Sequence, residues 1–157
     1  MKLSTLCYIE NDGRYLMLHR TKKKNDLNEG KWIAVGGGFE KDESPEECAV
    51  REVKEETGLT VRNLKYCGMM HWHNTDTNDK YFVHFYKTND YTGELIDKTE
   101  EGEVFFSSIE NLKKMELSPN FDKYLTMFLS DDHFEIFCNW NEEMKKDGEP
   151  EWNFQFR

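Results

Sequence analysis

Three glutamates stand close together in the first half of the chain, at Glu52, Glu55 and Glu56. At roughly 100° per residue, their side chains would share one stripe of a helix. Carboxylate oxygens suit Mg²⁺ or Mn²⁺, and these cations keep several water ligands and bind substrate phosphates as well. The cluster therefore predicts a divalent-cation site that brings a phosphate-containing substrate to an acidic surface. The alternative is a solvated helix face with no ligand.

Fixed spacings connect these glutamates to residues on their N-terminal side. Gly37 is followed by five residues and then Glu43, and seven residues later comes the run Arg51-Glu52-Val53-Lys54-Glu55-Glu56-Thr57-Gly58-Leu59. The pattern G-x5-E-x7-R-E-apolar-x-E-E-x-G-apolar is the signature of the Nudix hydrolases, and the chain resembles that family. The resemblance implies metal-dependent hydrolysis of a nucleoside diphosphate that is linked to another group X.

The resemblance also assigns roles within this motif. It implies that the backbone carbonyl of Gly37 contributes to the metal site together with the carboxylates of Glu52, Glu55 and Glu56. Glu56 is the metal ligand that the resemblance indicates most directly. Either Glu52 or Glu55 could instead act as the general base that takes a proton from the attacking water.

Four further residues of the motif region are candidates for the site. Arg51 lies one turn before Glu55 and could orient that carboxylate by a two-pronged hydrogen bond. Glu43 could accept a proton or hold metal-bound water, although an acid just before a helix could also serve only to cap its N-terminus. Gly36 and Gly38 could contact the substrate, because glycine permits close backbone approach and dihedral angles that other residues resist.

Two charged segments outside the motif extend the candidate site. Lys23 lies in a polar loop, 21–30, which is either a solvated loop or a source of attraction for phosphate. Glu100 precedes a predicted strand, and the resemblance implies that this region supplies another metal carboxylate. The alternative is that Glu100, Glu101 and Glu103 are only solubility residues.

Beyond the motif, the chain most resembles the MutT-like branch of the family, which hydrolyses oxidised purine nucleoside triphosphates such as 8-oxo-dGTP. The likeness lies in the segments KKKNDLNEGKWIAVGGG, EEGEVFF and LSPNFDKY. That branch reads the base just after a proline like Pro119, so Asn120 would present a donor and an acceptor to the purine, with Asp122 as a second candidate. Phe121 or Trp32 could stack on the base. Asn120 could equally be an ordinary residue at a helix start.

Three positions depart from that branch. Mammalian members have an aromatic residue where Ser118 stands and an asparagine where Ile33 stands, and both differences concern base selection. Asp42 replaces the glycine that usually precedes the second fixed position, which is a change within a loop.

Other substrates therefore stay open: an ordinary (d)NTP, a nucleotide sugar, a dinucleoside polyphosphate or a capped RNA end. A non-catalytic nucleotide sensor also stays open, but such proteins usually lose one or more motif glutamates and all are present here. Isomerisation of a small diphosphate is not supported, because no cysteine lies in the expected context.

Composition sets further expectations. A chain of 157 residues with 14% aromatic residues fits a single domain, 1–157, with a hydrophobic core. The net charge of −10 argues against binding nucleic acid or a membrane surface, which would need a basic patch. Four scattered cysteines predict buried, reduced thiols, and no signal peptide or span of ~20 apolar residues is recognisable. We therefore expect a cytoplasmic monomer or homodimer whose partner is a small-molecule nucleotide.

Local signals predict the helix that carries the glutamates. Ser44 is a good N-cap, Pro45 suits the first helical position, and Glu47 completes a capping box. Gly58 is typical of a left-handed helix stop. The stripe that is expected to pack on the core contains Ala49, Val50, Val53 and Thr57.

The other predicted elements are mostly strands. Asn11-Asp12-Gly13 predicts a hairpin turn, and polar turns are predicted at 74–80 and 89–93. Strands are predicted at 3–10, 14–20, 32–35, 59–73 (as one strand or two joined at Gly68), 81–87, 103–107, 133–140 and 152–156, and further helices at 108–114 and from 118 onward. This order gives an α+β architecture, and the resemblance makes it an α/β/α sandwich around a mixed sheet.

Overall fold

Strands make up most of the chain that the computed structural model describes, namely residues 1–20, 32–96, 102–112, 133–143 and 151–156. At Arg20, Trp32 and 151–156 it describes the backbone alone. The elements in these residues are β1 (Lys2–Asn11), β2 (Arg14–Arg20), β3 (Trp32–Ile33), β4 (Val35–Gly38), α1 (Pro45–Thr57), β5 (Thr60–Arg62), β6 (Lys65–Asn74), β7 (Lys80–Thr88), β8 (Asp90–Thr92), β9 (Gly102–Ser108), α2 (Ile109–Leu112), β10 (Phe134–Trp140) and β11 (Glu151–Phe156).

One mixed sheet organises these elements. Its strands run in the order β11-β10-β6-β7-β1-β2-β3, while β4 also pairs with β1 and β9 also pairs with β2. The pairs β1·β7 and β10·β6 are parallel, and the remaining pairs of this sheet are antiparallel. A separate two-stranded antiparallel sheet joins β5 to β8. The predicted α+β class with a mixed sheet is therefore confirmed.

The first hairpin follows from its turn residues. Asn11 pairs with Arg14 across β1 and β2, which leaves Asp12 and Gly13 as a two-residue loop with φ angles of 52° and 77°. Hairpin turns with positive φ at both loop positions match the twist of the flanking strands, and Asp-Gly tolerates them well. The hairpin predicted at Asn11-Asp12-Gly13 is confirmed.

Two predictions about the middle of the chain were wrong in detail. The segment 59–73 forms two strands, but they separate at Asn63, whose φ is 54°, and not at Gly68. Gly68 lies inside β6 at a register shift, and a Cβ there would collide with the carbonyl of Phe134 in the neighbouring strand. The predicted turn at 89–93 contains the short strand β8, because 90–92 pairs with β5.

Helix α1 has the ends that the sequence predicts. The side chain of Ser44 accepts a hydrogen bond from the Glu47 backbone, and the Glu47 carboxylate accepts one from the Ser44 backbone. Gly58 follows the helix with a φ of 80° and donates its N–H to the Lys54 carbonyl. The helix is thus fixed at both ends by local interactions, which sets the rotation of the glutamate stripe.

The core lies on both faces of the mixed sheet, since successive side chains of a strand point to opposite sides. In β1, Tyr8 joins one hydrophobic cluster and Cys7 and Ile9 join the other. The second cluster includes Ala49 and Val53, so it is the one that α1 covers. The four cysteines, all among the described residues, are buried and reduced as predicted.

Some predictions concern parts of the chain that lie outside the described residues. These are the loop 21–30 and the helix predicted from 118 onward. Within the described ranges, no helix combines the length and the apolar character that a membrane crossing requires.

The glycine run occupies a strand and not a loop, which corrects the expectation that the strand ends before it. Gly36, Gly37 and Gly38 belong to β4 and pair with Leu6, Thr5 and Ser4 of β1. Their φ values are not positive, so special dihedral angles do not explain them. Space does, because a Cβ on Gly36 would collide with the Thr5 carbonyl, whereas a Cβ on Gly38 would meet only Leu3 O at 3.8 Å.

This difference gives a test of the strand packing. We expect Gly36→Ala to lower the free energy of unfolding by roughly 1–3 kcal/mol, because β1 and β4 must move apart to admit the methyl group. Gly38→Ala is the matched control and should change the unfolding free energy by less than about 1 kcal/mol. Urea unfolding at pH 7 measures both, and equal effects would contradict the close contact at Gly36.

Candidate active site

The three candidate ligands on helix α1, Glu52, Glu55 and Glu56, differ in how exposed they are to solvent. Ala49, Val53 and Thr57 are fully buried against the sheet, so the opposite side of the helix faces outward. At the edge between the two sides, Glu56 is 6% exposed. The side chain of Glu52 is 14% exposed and that of Glu55 is 56% exposed. The predicted core stripe is confirmed, but the glutamates are not equivalent surface residues.

A single guanidinium organises the acidic residues. Nε and Nη2 of Arg51 donate to Oε1 and Oε2 of Glu43 at 2.6 and 3.0 Å. Nη2 also donates to the Gly38 carbonyl at 2.9 Å. Nη1 donates to Glu52 Oε1 at 2.9 Å and to Glu55 Oε2 at 3.1 Å. All five N–H bonds of the guanidinium therefore have acceptors. The interactions with Glu43 first, and then with Glu52, raise the pKa of Arg51 above its ordinary value.

The two-pronged hydrogen bond goes to a different residue from the one expected. The sequence predicted it between Arg51 and Glu55, whereas Glu43 receives it and Glu55 receives a single bond. Glu43 also accepts the backbone N–H of Glu40 at 2.9 Å. These interactions, chiefly the hydrogen bonds from Arg51, lower the pKa of Glu43 to about 2. So acidic a carboxyl is a weak proton acceptor at neutral pH, and the geometry favours Glu43 as the anchor of Arg51.

The same geometry explains how Glu43 is presented. The helix cap is formed by Ser44 and Glu47, so Glu43 is not needed for it. Asp42 has a φ of 63°, in the left-handed region where glycine is favoured and Asp is tolerated. The tight turn closes with a 3.3 Å bond from Glu43 N to Glu40 O. The departure at Asp42 is therefore accommodated in the turn that aims Glu43 at Arg51.

Gly37 lies directly against the Glu52 carboxylate. A Cβ on Gly37 would stand 2.5 Å from Cδ and Oε1 of Glu52 and 2.7 Å from Oε2. A side chain at this position would displace the carboxylate, so glycine leaves Glu52 the room to lie against the strand. The contact places the Glu52 carboxylate against the backbone of Gly37, and carboxylate and carbonyl oxygens are both ligands of the kind that Mg²⁺ and Mn²⁺ take.

The expected convergence of three carboxylates is not formed among the described residues, where no group of three histidine, cysteine, aspartate or glutamate side chains is close enough to hold a metal ion. Glu52 and Glu55 are instead drawn to Arg51. The ligand types nevertheless fit a hard divalent cation, since Gly37 supplies a carbonyl and Glu52, Glu55 and Glu56 supply carboxylates within two turns of one helix.

The sequence predicts that Cys48 is buried but does not predict its contact with β4. Cys48 is 0% exposed, and burial raises the pKa of its thiol to about 11, so the thiol is protonated at neutral pH. Its Sγ lies 3.5 Å from the Gly37 and Gly38 carbonyl oxygens. Only the position of Cys48 one turn before Arg51, on the side of α1 that faces β4, could have indicated this contact.

The remaining predicted site residues have a different status. Trp32 is described in its backbone alone, within β3. Glu103, one of the alternative downstream acids, is exposed on β9. Outside the described residues lie Lys23, Glu100, Asn120, Phe121 and Asp122.

Comparison with known proteins agrees with this architecture. The family model of the NUDIX domain matches residues 2–128. Over 99% of this chain and 98% of the other, the structure superposes on a MutT protein from Bacillus halodurans with a TM-score of 0.82 at 22% identity, which is similarity of fold. The mixed sheet, with β4 packed against the glutamate-bearing helix α1, is the fold of a Nudix domain. The chain belongs to the Nudix family of hydrolases. Nudix hydrolases act on small-molecule nucleotides and generally use divalent metal ions.

Three curated relatives share more identity over shorter stretches, and their names indicate different substrates or none. The chain is 25% identical over 118 residues to the uncharacterized Nudix hydrolase YvcI of Bacillus subtilis, covering 73% of this chain and 71% of the relative. It is 33% identical over 99 residues to an oxidized purine nucleoside triphosphate hydrolase of Danio rerio, covering 63% and 62%. It is 36% identical over 64 residues to the NAD-capped RNA hydrolase NudC of Vibrio atlanticus, covering 41% and 22%.

The Arg51–Glu43 pair makes stability depend on pH in a defined direction. The folded pKa of Glu43 is lowered from 4.5 to about 2, so its contribution is complete above the unfolded pKa and is lost as pH falls toward the folded pKa. We expect Glu43→Gln to be less stable than wild type at pH 7, with the difference shrinking between about pH 4.5 and pH 2. Thermal unfolding across this range measures it, and a constant difference would contradict the pair.

Proposed function

We propose that this Nudix hydrolase is a metal-dependent pyrophosphohydrolase that cleaves nucleoside triphosphates to the monophosphate and pyrophosphate. Its preferred substrates would be oxidised purines such as 8-oxo-dGTP, which it would remove from the cytoplasmic nucleotide pool. The observation that carries the proposal is the Glu52 carboxylate, which lies against Gly37 and is held by Arg51. The similarity to the oxidized purine nucleoside triphosphate hydrolase of Danio rerio supports the substrate class. We propose that residues 1–157 form one domain, acting as a monomer or a homodimer.

In this proposal, the Gly37 carbonyl and the carboxylates of Glu52, Glu55 and Glu56 would hold Mg²⁺ or Mn²⁺, except that either Glu52 or Glu55 would serve as the general base instead of a ligand, and Glu100 would add a further carboxylate. When bound, the cation would withdraw charge from the phosphates and lower the pKa of a water molecule. The chain has a net charge of −10, so a polyphosphate would otherwise be repelled.

The exposure of the glutamates divides their proposed roles. Glu56 is 6% exposed, and a buried carboxylate is costly unless a positive charge is close, which suits a metal ligand. Glu55 has a side chain that is 56% exposed, so it can pass a proton to solvent, which suits a general base. Glu52 lies between them and is the second candidate for either role.

Arg51 and Glu43 would act by positioning. Glu43 fixes the guanidinium through two hydrogen bonds, and Arg51 then holds Glu52 and Glu55 through Nη1. Since a carboxylate oriented in advance loses little entropy on reaction, this arrangement favours proton transfer in a fixed direction.

Selection of the substrate would depend on residues outside the motif. Asn120 and Asp122 would hydrogen-bond the purine, Phe121 or Trp32 would stack on it, and Lys23 would attract the phosphates. Gly38 is exposed and could face the substrate, whereas Gly36 is buried in β4 against β1 and acts in packing.

The metal role of Glu56 can be tested by Glu56→Gln. We expect kcat to fall at least about a hundredfold, because a lost ligand removes several kcal/mol of charge stabilisation. Glu46→Gln, an exposed residue of the same helix, is the control and should keep wild-type kcat. Steady-state hydrolysis of a nucleoside triphosphate with Mg²⁺, with circular dichroism to confirm folding, measures both, and an undiminished rate in Glu56→Gln would refute the metal site.

The substrate class can be tested by competition between 8-oxo-dGTP and dGTP. We expect kcat/KM to be at least about tenfold higher for 8-oxo-dGTP, which corresponds to one well-formed hydrogen bond to the altered base edge. Chromatography of the products should show the monophosphate and pyrophosphate. Equal kcat/KM values would defeat the proposed preference.

A second substrate class is supported by the similarity to NAD-capped RNA hydrolase NudC, which covers 64 residues. The acidic balance of the chain makes RNA a less favourable ligand. Screening NAD, a nucleotide sugar and a dinucleoside polyphosphate beside the triphosphates separates these possibilities by their products.

A further inference from the structure

A buried thiol lies directly beneath the Gly37–Gly38 backbone. The Sγ of Cys48 is 3.5 Å from the carbonyl oxygen of each glycine. The hydroxyl of Thr5 is 3.4 Å from the same sulfur, and Nη2 of Arg51 is 3.8 Å from it. Cys48 is 0% exposed and Thr5 is 1% exposed, so the contact between these two side chains is buried, whereas the contacts of the sulfur with the carbonyls and with Arg51 are partly buried.

Three elements meet at this sulfur. Cys48 lies in α1, Gly37 lies in β4, and Thr5 is opposite Gly37 in β1. Arg51 reaches the Gly38 carbonyl from the next turn of the same helix. The thiol therefore ties the helix that bears the glutamates to the strand that bears the carbonyls.

We infer that Cys48 is a positioning residue which, together with Thr5, sets the direction of the Gly37 and Gly38 carbonyls and thereby the affinity of the cation site. The part that concerns the cation rests on the proposed function. The part that concerns the carbonyls rests on the contacts alone.

A thiol suits this place chemically. It is a weak S–H donor and a weak acceptor, and a carbonyl oxygen has two lone pairs. It can therefore hold the Gly37 carbonyl while leaving a lone pair for a second partner. Alanine would remove the donor and leave a void in a close-packed region. Serine would keep a donor on a shorter side chain, so it is the conservative variant.

The first measurement is Mn²⁺ binding to the nucleotide-free protein, followed by electron paramagnetic resonance. We expect Cys48→Ala to bind Mn²⁺ about threefold to tenfold more weakly than wild type, which is the effect of losing one hydrogen bond. Cys48→Ser keeps a donor and should stay within about twofold of wild type. Cys138→Ala is the matched control, since Cys138 is also 0% exposed and lies in β10. It should keep wild-type affinity, and equal Mn²⁺ affinity in Cys48→Ala and Cys138→Ala would overturn the effect on the cation site.

The second measurement needs neither metal nor nucleotide. With carbonyl-¹³C glycine incorporated, the Gly37 and Gly38 carbonyl resonances should shift in Cys48→Ala and return toward wild type in Cys48→Ser. Unchanged resonances in Cys48→Ala would overturn the positioning role. If the wild-type protein binds Mn²⁺ but hydrolyses no nucleotide, the proposed function alone fails. If it binds no Mn²⁺, the cation site fails and the carbonyl resonances decide the rest.

Discussion

The arrangement of the site depends on one positive charge among four acceptors. Arg51 binds the carboxylates of Glu43, Glu52 and Glu55 and the carbonyl of Gly38. Without it, neighbouring carboxylates on one helix would repel each other and turn toward solvent. Because all three acids and the strand carbonyl share this one partner, the helix and the glycine strand are held in a fixed relation. Such a relation is what a site for an anionic substrate requires.

A second constraint is the space around β4, on the side of β1 and on the side of the helix. Gly36 gives β1 room to approach, and Gly37 gives the Glu52 carboxylate room to lie against the backbone. Neither glycine has a positive φ, so the usual explanation of a glycine run by backbone freedom does not apply. The conformational freedom is needed instead in the following turn, at Asp42. Gly36 and Gly37 are therefore needed because they lack a side chain and not because their backbone is flexible.

The features that could be predicted from sequence are those set by neighbouring residues. Ser44, Glu47 and Gly58 interact within a few positions of one another, so both ends of α1 were predictable. The partner of Arg51 was not, because the bond to Glu43 depends on a turn whose path is fixed by Asp42. The contact of Cys48 with Thr5, 43 positions away, depends on the pairing of β1 with β4. Such a contact cannot be predicted from the sequence unless the register of β1 against β4 is known.

The donors of Arg51 divide into two groups with different consequences. Nε and Nη2 are committed to Glu43 and to the Gly38 backbone, both of which are held by other bonds of the turn and the strand. Nη1 is committed to Glu52 and Glu55, the two acids that the proposed function assigns to the cation and the base. A cation would compete for the second group and leave the first group in place. The guanidinium can therefore release Glu52 and Glu55 while Glu43 keeps it in position. This gives a physical reason for an acid before the helix, well away from the glutamates of its later turns.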